Sequence, residues 1–170
     1  ESNGLKVRHL IATHGHIDHN FGDKFVYDTW GVKPEAGTAD DQLFKSMPEQ
    51  AKAICGIDNL TQDDFVCVGK CLDEHDTVDF GSHKFTVLET PGHSPGGLTY
   101  YCEQERVAFT GDTLFQGSIG RTDFEGGSMF MMLMSLRHLS QLPDDVRVFP
   151  GHGAETTIGA EVASNPYIDR

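Results

Sequence analysis

Three histidines and an aspartate crowd into six residues of this chain, in the run His14-Gly15-His16-Ile17-Asp18-His19. No ordinary packing role accounts for them, because imidazoles and a carboxylate gathered without an ion leave buried polar groups unpaired. Whatever fold the chain adopts must therefore carry this segment to a place where a metal can sit. The run follows Lys6–Thr13 (KVRHLIAT), a strand candidate rich in β-branched and aliphatic residues. The arrangement recurs along the chain. Lys84–Glu89 leads into Thr90-Pro91-Gly92-His93, Arg106–Thr110 into Gly111-Asp112, and Val146–Phe149 into Pro150-Gly151-His152. Loops at the carboxyl ends of strands are where sheet proteins gather ligand sites, since the loops converge while the strands stay rigid. Together these loops offer five imidazoles, two carboxylates and no thiolate. That donor set suits zinc, iron or manganese. Seven ligands exceed one tetrahedral site but fit two ions about 3.5–4 Å apart, bridged by a carboxylate and a water. His9, His75, His83 and His138 lack partners at ligand spacing and read as ordinary polar residues.

Between these loops the pattern alternates strand and helix. Asp18–Trp30 reads as a helix closed by Gly31, and Val32–Ala36 as a short strand that Pro34 confines to an edge or a strand end. Asp40–Ile54 has helical spacing in Leu43, Phe44, Met47, Ala51 and Ile54, interrupted at Pro48. Thr77–Phe80 and Lys84–Glu89 read as strands, and Leu98–Cys102 with Arg106–Thr110 as a hairpin. Ser128 is placed to cap a helix whose Met132, Leu136 and Leu139 form one apolar stripe, ended by Pro143. Val146–Phe149 is a last buried strand and Glu155–Ala163 a terminal helix. The whole is an α/β or α+β sandwich.

Composition removes several functions. With 26 acidic against 13 basic residues the formal net charge is −13, a field that repels phosphate backbones. No basic run offers a local exception, so no nucleic-acid partner is expected. The longest apolar run, Met129–Met134, has six residues, against about 20 needed to span a bilayer, so no membrane partner is expected either. That run reads as flexible core filling. Cys55, Cys67, Cys71 and Cys102 show no two-residue gap of a zinc knuckle, though Cys67 and Cys71 are four apart, as on one helical face. Reduced, partly buried thiols and a cytoplasmic setting follow. Trp30, Tyr100 and Tyr101 read as packing residues, and the Asp40-Asp41 and Asp63-Asp64 pairs as solvated surface. The 170 residues are the size of a single domain, near the usual figure of about 150.

His14-x-His16-x-Asp18-His19, followed by His93, Thr110-Gly111-Asp112 and Gly151-His152, resembles the metallo-β-lactamase superfamily. The Thr110–Phe115 segment (TGDTLF) is similar to that of the glyoxalase II branch, the hydroxyacylglutathione hydrolases. Gly120–Phe124 (GRTDF), Leu142–Asp145 and Asn165–Ile168 resemble its short bacterial members, which lack a C-terminal helical domain. The resemblance implies an α+β fold of four layers, αββα, in one domain over residues 1–170. It implies two divalent metals, zinc first with iron or manganese as alternatives. His14, His16 and His93 would hold one ion, Asp18, His19 and His152 the other, with Asp112 bridging. Asp18 and Asp112 would thereby be the catalytic carboxylates, and Arg121 a substrate contact, unless Arg121 instead pairs with Asp123. The implied reaction is cleavage of a small thioester such as S-lactoylglutathione by a hydroxide generated at the metals. Two alternatives share the fold: a persulfide dioxygenase with a single iron, and a lactonase. In this family the histidine-rich segment usually follows several strands, whereas 13 residues precede His14 and the chain opens at Glu1, not Met. Roughly 40 N-terminal residues are therefore expected to be missing, judged from strand sizes. The first sheet should then show an open edge or bare apolar face, covered by a homo-oligomer or a complementing chain.

Overall fold

The computed structural model describes residues 4–168. Its first sheet is parallel and three-stranded, built from β1 (Leu10–Ile11), β2 (Pro34–Gly37) and β3 (Lys70–Leu72) in that order. Between β1 and β2 lie α1 (Ile17–Asn20) and α2 (Asp23–Trp30), and between β2 and β3 lie α3 (Asp41–Lys45) and α4 (Met47–Gln50). The second sheet holds β4 (Thr77–Phe80), β5 (His83–Glu89), β6 (Leu98–Cys102) and β7 (Val107–Gly111) as an antiparallel meander. A small hairpin, β8 (Leu114–Phe115) with β9 (Ser118–Ile119), and helix α5 (Met129–Leu139) follow. β10 (Arg147–Pro150) then pairs parallel to β7, and β11 (Thr156–Thr157) pairs antiparallel to β10 ahead of α6 (Ile158–Ser164).

Alternation of side chains decides the layers. Val78, Val87, Leu98 and Tyr100 point from the second sheet toward the first and pack with Leu72. Leu88, Ala108 and Val148, on the opposite face, pack with Met132, Leu136 and Leu139 of α5 and Ile158 of α6. Phe44 and Met47 of α3 and α4 cover Ala12, Ile17 and Ala36 on the outer side of the first sheet. Helix, sheet, sheet and helix thus follow one another, the expected α+β sandwich. The first sheet covers only part of the second. Phe80 and Phe109 stay 38% and 39% exposed on its inner face. Phe80 stacks on Phe85 at 4.5 Å and Phe109 on Phe149 at 5.2 Å, with the Arg147 guanidinium over Phe149. Among the described residues, β1 pairs with β2 alone.

Several local expectations are corrected. The strand expected over Lys6–Thr13 is paired only at Leu10–Ile11, opposite Pro34 and Glu35. Pro34 brings no N–H to extend that ladder. Pro34 does open its strand, but β2 lies between two neighbours and not at an edge. The helix expected from Asp18 to Trp30 is broken into α1 and α2 at Phe21-Gly22, where glycine weakens helix continuity. Between α3 and α4 the break falls at Ser46, because Pro48 sits in the first turn of α4, where a missing N–H costs nothing. Cys71 lies in β3, so it shares no helical face with Cys67, and three of the four free thiols are exposed. Glu155–Ala163 begins as strand and turns helical only at Ile158, capped by Thr157 accepting from the Ala160 N–H. Within the methionine-rich run only Met132 is buried; Phe130 is 71% exposed. A helix with one face on a sheet buries about one residue in three or four. Trp30, expected to pack, is 41% exposed.

Candidate metal centre

The centre lies where the loops after β1, β5, β7 and β10 converge. The loop after β1 is curled by side chains bonding its backbone. Asn20 Nδ2 donates to the carbonyls of His14 and His16 at 2.8 and 2.7 Å. Gln50 Oε1 accepts from the Ile17 N–H at 3.0 Å, and its Nε2 donates to the Gly15 carbonyl at 3.2 Å. Asp40, fully buried, accepts from the Gly15 N–H and the Ser94 hydroxyl, both at 2.8 Å, and from the Gly96 N–H at 2.5 Å. One carboxylate thus ties the His14–His16 loop to the His93 loop. Burial pushes its pKa up, against the three hydrogen bonds that pull it down. In the loop after β10, a Cβ on Gly151 would strike Asp112 Oδ1 and come within 2.7 Å of the His19 ring. Only glycine lets that loop approach so closely.

These supports bring all seven expected ligands together. His16 Nδ1 and His93 Nε2 lie 2.9 Å apart, and the His14 ring centroid is 4.9 Å from each of those two rings. His19 Nε2 and His152 Nε2 are 3.2 Å apart, with Asp18 Oδ2 at 3.4 and 3.3 Å from them. Asp112 stands between the two groups. Its Oδ1 is 3.5 Å from His19 Nε2, and its Oδ2 is 3.5 Å from both His93 Nε2 and His152 Nε2. Ligand atoms 2.0–2.1 Å from a tetrahedral ion stand about 3.3 Å from one another, so these separations fit. Two further observations fit a cation. His14 Nε2 and Asp112 Oδ1 are buried without a hydrogen-bond partner, and orphaned buried polar atoms are rare. Two of the imidazoles, those of His14 and His16, are also kept neutral. Burial first, then His19, His93, His16 and His152, holds the His14 pKa far below the ordinary range. Burial and then His93 hold His16 down to about 4. His93 Nδ1–H donates to the Arg121 carbonyl at 2.7 Å, leaving its Nε2 lone pair facing the centre. Burial raises the Asp112 pKa, against the pull of His19, His93 and His152.

Arg121 acts here through its backbone. Its guanidinium makes a two-pronged pair with Asp123 at 2.7 and 2.8 Å and lies over the Phe124 ring at 4.0 Å. The remaining histidines stand elsewhere: His9 pairs with Glu35, His83 with Glu105 and His75 with Glu74. Asp63 and Asp64 are on the surface as expected, but Asp40 is not. Asn20, Asp40 and Gln50 escape a reading of sequence because each serves the site through backbone groups that local pattern does not encode.

The family model of the metallo-beta-lactamase superfamily matches residues 1–152. The hydroxyacylglutathione hydrolase GloC of Haemophilus influenzae is 38% identical over 171 residues, covering 97% of this chain and 77% of that protein. Among solved structures, the BLEG-1 B3 metallo-beta-lactamase superposes with a TM-score of 0.86 at 34% identity, covering 98% of this chain and 79% of the other. A protein solved in a di-iron-bound form superposes with a TM-score of 0.82 at 31% identity, covering 98% and 80%.

Proposed function

Because this chain belongs to the metallo-beta-lactamase superfamily and is a metal-dependent hydrolase, we propose that it cleaves small thioesters at a two-metal centre. His14, His16 and His93 would hold one ion, and Asp18, His19 and His152 the other. The observation that carries this is Asp112, whose two oxygens reach imidazoles from three different loops at 3.5 Å. When bound, two divalent ions supply a nucleophile from water at neutral pH and spread the charge that develops on the substrate oxygen. The chain itself does the rest. The neutral imidazoles of His14 and His16 offer lone pairs without a proton to displace, and Asp18 and Asp112 bring the balancing negative charge. Asn20, Asp40 and Gln50 hold the ligand loops rigid. Zinc is the first metal expected there, with iron or manganese as alternatives, and residues 1–170 belong to one domain. Among the described residues no helix is long and apolar enough to cross a membrane, and exposed thiols suit a reducing, cytoplasmic setting.

Metal content per chain, measured on the sample assayed for S-lactoylglutathione hydrolysis and for oxygen uptake with glutathione persulfide, tests the proposal. Two metals and thioester turnover support it. One iron per chain with oxygen uptake would instead establish the dioxygenase alternative.

A further inference from the structure

A cavity of about 560 Å³ opens beside His16, between the α3–α4 segment and the loop after β9. Phe124 joins it to the metal centre, since its ring packs on His16 at 5.2 Å and on His93 at 5.9 Å. Leu43 and Ile54 complete an apolar wall, and the charged groups lining it are the carboxylates Glu49 and Glu125. Lys52, exposed on the turn after α4, is not among the lining residues, and two other flanking cations are engaged elsewhere. Arg121, on the Phe124 ring, is held by both oxygens of Asp123. Lys45 of α3 is paired with Asp41 at 2.5 Å.

We infer that this cavity receives the part of the substrate beyond the scissile bond, and that it favours a neutral or cationic, partly apolar group over an anionic one. The inference rests on the thioesterase reading and narrows its substrate class. An apolar wall beside two carboxylates rewards desolvation of alkyl surface and repels negative charge, and the overall charge of −13 extends that field. A glutathionyl carrier holds more carboxylates than ammonium groups, and no free guanidinium or ammonium of the lining receives them.

The test uses the metal-loaded full chain and one acyl group, lactoyl, on three carriers: glutathione, N-acetylcysteamine and thiocholine. Expected kcat/KM rises in that order, chiefly through KM, and the spread narrows as salt is raised. Glu49→Gln and Glu125→Gln each improve the glutathione ester about threefold and weaken the thiocholine ester about as much, as expected for one screened charge several ångströms away. Both positions are exposed, and unchanged metal content verifies the fold. Calorimetric binding of the non-hydrolysable S-alkyl thioethers of the same carriers gives a readout free of turnover. If the thioethers bind in the predicted order while no thioester is cleaved, the cavity assignment stands and the thioesterase reading falls. If the glutathione conjugate binds best and neither substitution shifts it, the cavity assignment is overturned.

Discussion

Replacing Asp40 by alanine removes a side chain that touches no ligand, yet it should loosen half of the metal centre. Asp40 answers three buried donors: the Gly15 N–H, the Ser94 hydroxyl and the Gly96 N–H. The hydroxyl can rotate away, whereas the two backbone N–H groups cannot. At about 1–3 kcal/mol for each orphaned buried donor, the gross cost is about 2–6 kcal/mol. Burial raises the pKa of Asp40, so losing an ionised buried carboxylate offsets part of that, and a net loss near about 2–3 kcal/mol is expected. A typical domain has about 5–15 kcal/mol of stability, so the variant should still fold. Asp40→Asn should cost less, about 1–2 kcal/mol, because its amide oxygen still serves two donors and its NH2 opposes one. The metal effect is asymmetric. Asp40 joins the His14–His16 loop to the His93 loop, and it makes no bond to Asp18, His19 or His152. The first site should weaken tenfold or more, in the range of outer-shell changes, while the second holds. Urea midpoints of the metal-free proteins and a two-site titration against a chelator measure both quantities. Equal weakening of the two sites, or an unchanged midpoint in Asp40→Ala, would refute the reasoning.

Asp112→Ala should abolish turnover and lower the affinity of both sites, whereas His138→Ala, on the outer helix, should leave activity within twofold; comparable losses in the two variants would sink the bridging role. In the metal-free protein the unfolded chain protonates His14 and His16 near the ordinary 6.5 while the folded chain resists down to about 4 at His16. Stability should therefore fall as pH drops from about 6.5 to about 4, read from urea midpoints across that range. Asp23 works the other way, since burial pushes its carboxyl up from 3.8 to about 7. Asp23→Asn should accordingly steepen the acid loss, and a slope that flattens instead would contradict the assignment. Gly151→Ala places a methyl group against Asp112 and the His19 ring; metal stoichiometry should drop while the metal-free protein keeps its far-UV spectrum.

How much of this was legible in the sequence depends on the range over which each residue acts. His14, His16, Asp18 and His19 announce themselves because their density has no other use, and His93, Asp112 and His152 because each follows a strand and a glycine turn. Asp40 reads as surface in the sequence because its partners are 25, 54 and 56 residues away, and an acidic pair carries no local sign of such partners. β3 leaves no trace in the sequence because Lys70-Cys71-Leu72 is too short to show a period of two. The methionine run differs from its sequence reading for another reason: composition marks a segment as apolar, but only helix geometry says which of its members meet the core.

The ligands run from His14 to His152, on loops that belong to both sheets. Such a centre cannot be assembled piecemeal. The first loop offers four donors as soon as it is made, but the imidazoles that complete each group arrive only after β5 and β10 have taken their places. Closing contacts so distant in sequence is slow, and metal affinity becomes folding affinity once the site exists only in the folded chain. Bound metal should accordingly raise the unfolding midpoint of the sandwich as a whole, and a chelator would lower that midpoint while leaving the chain folded.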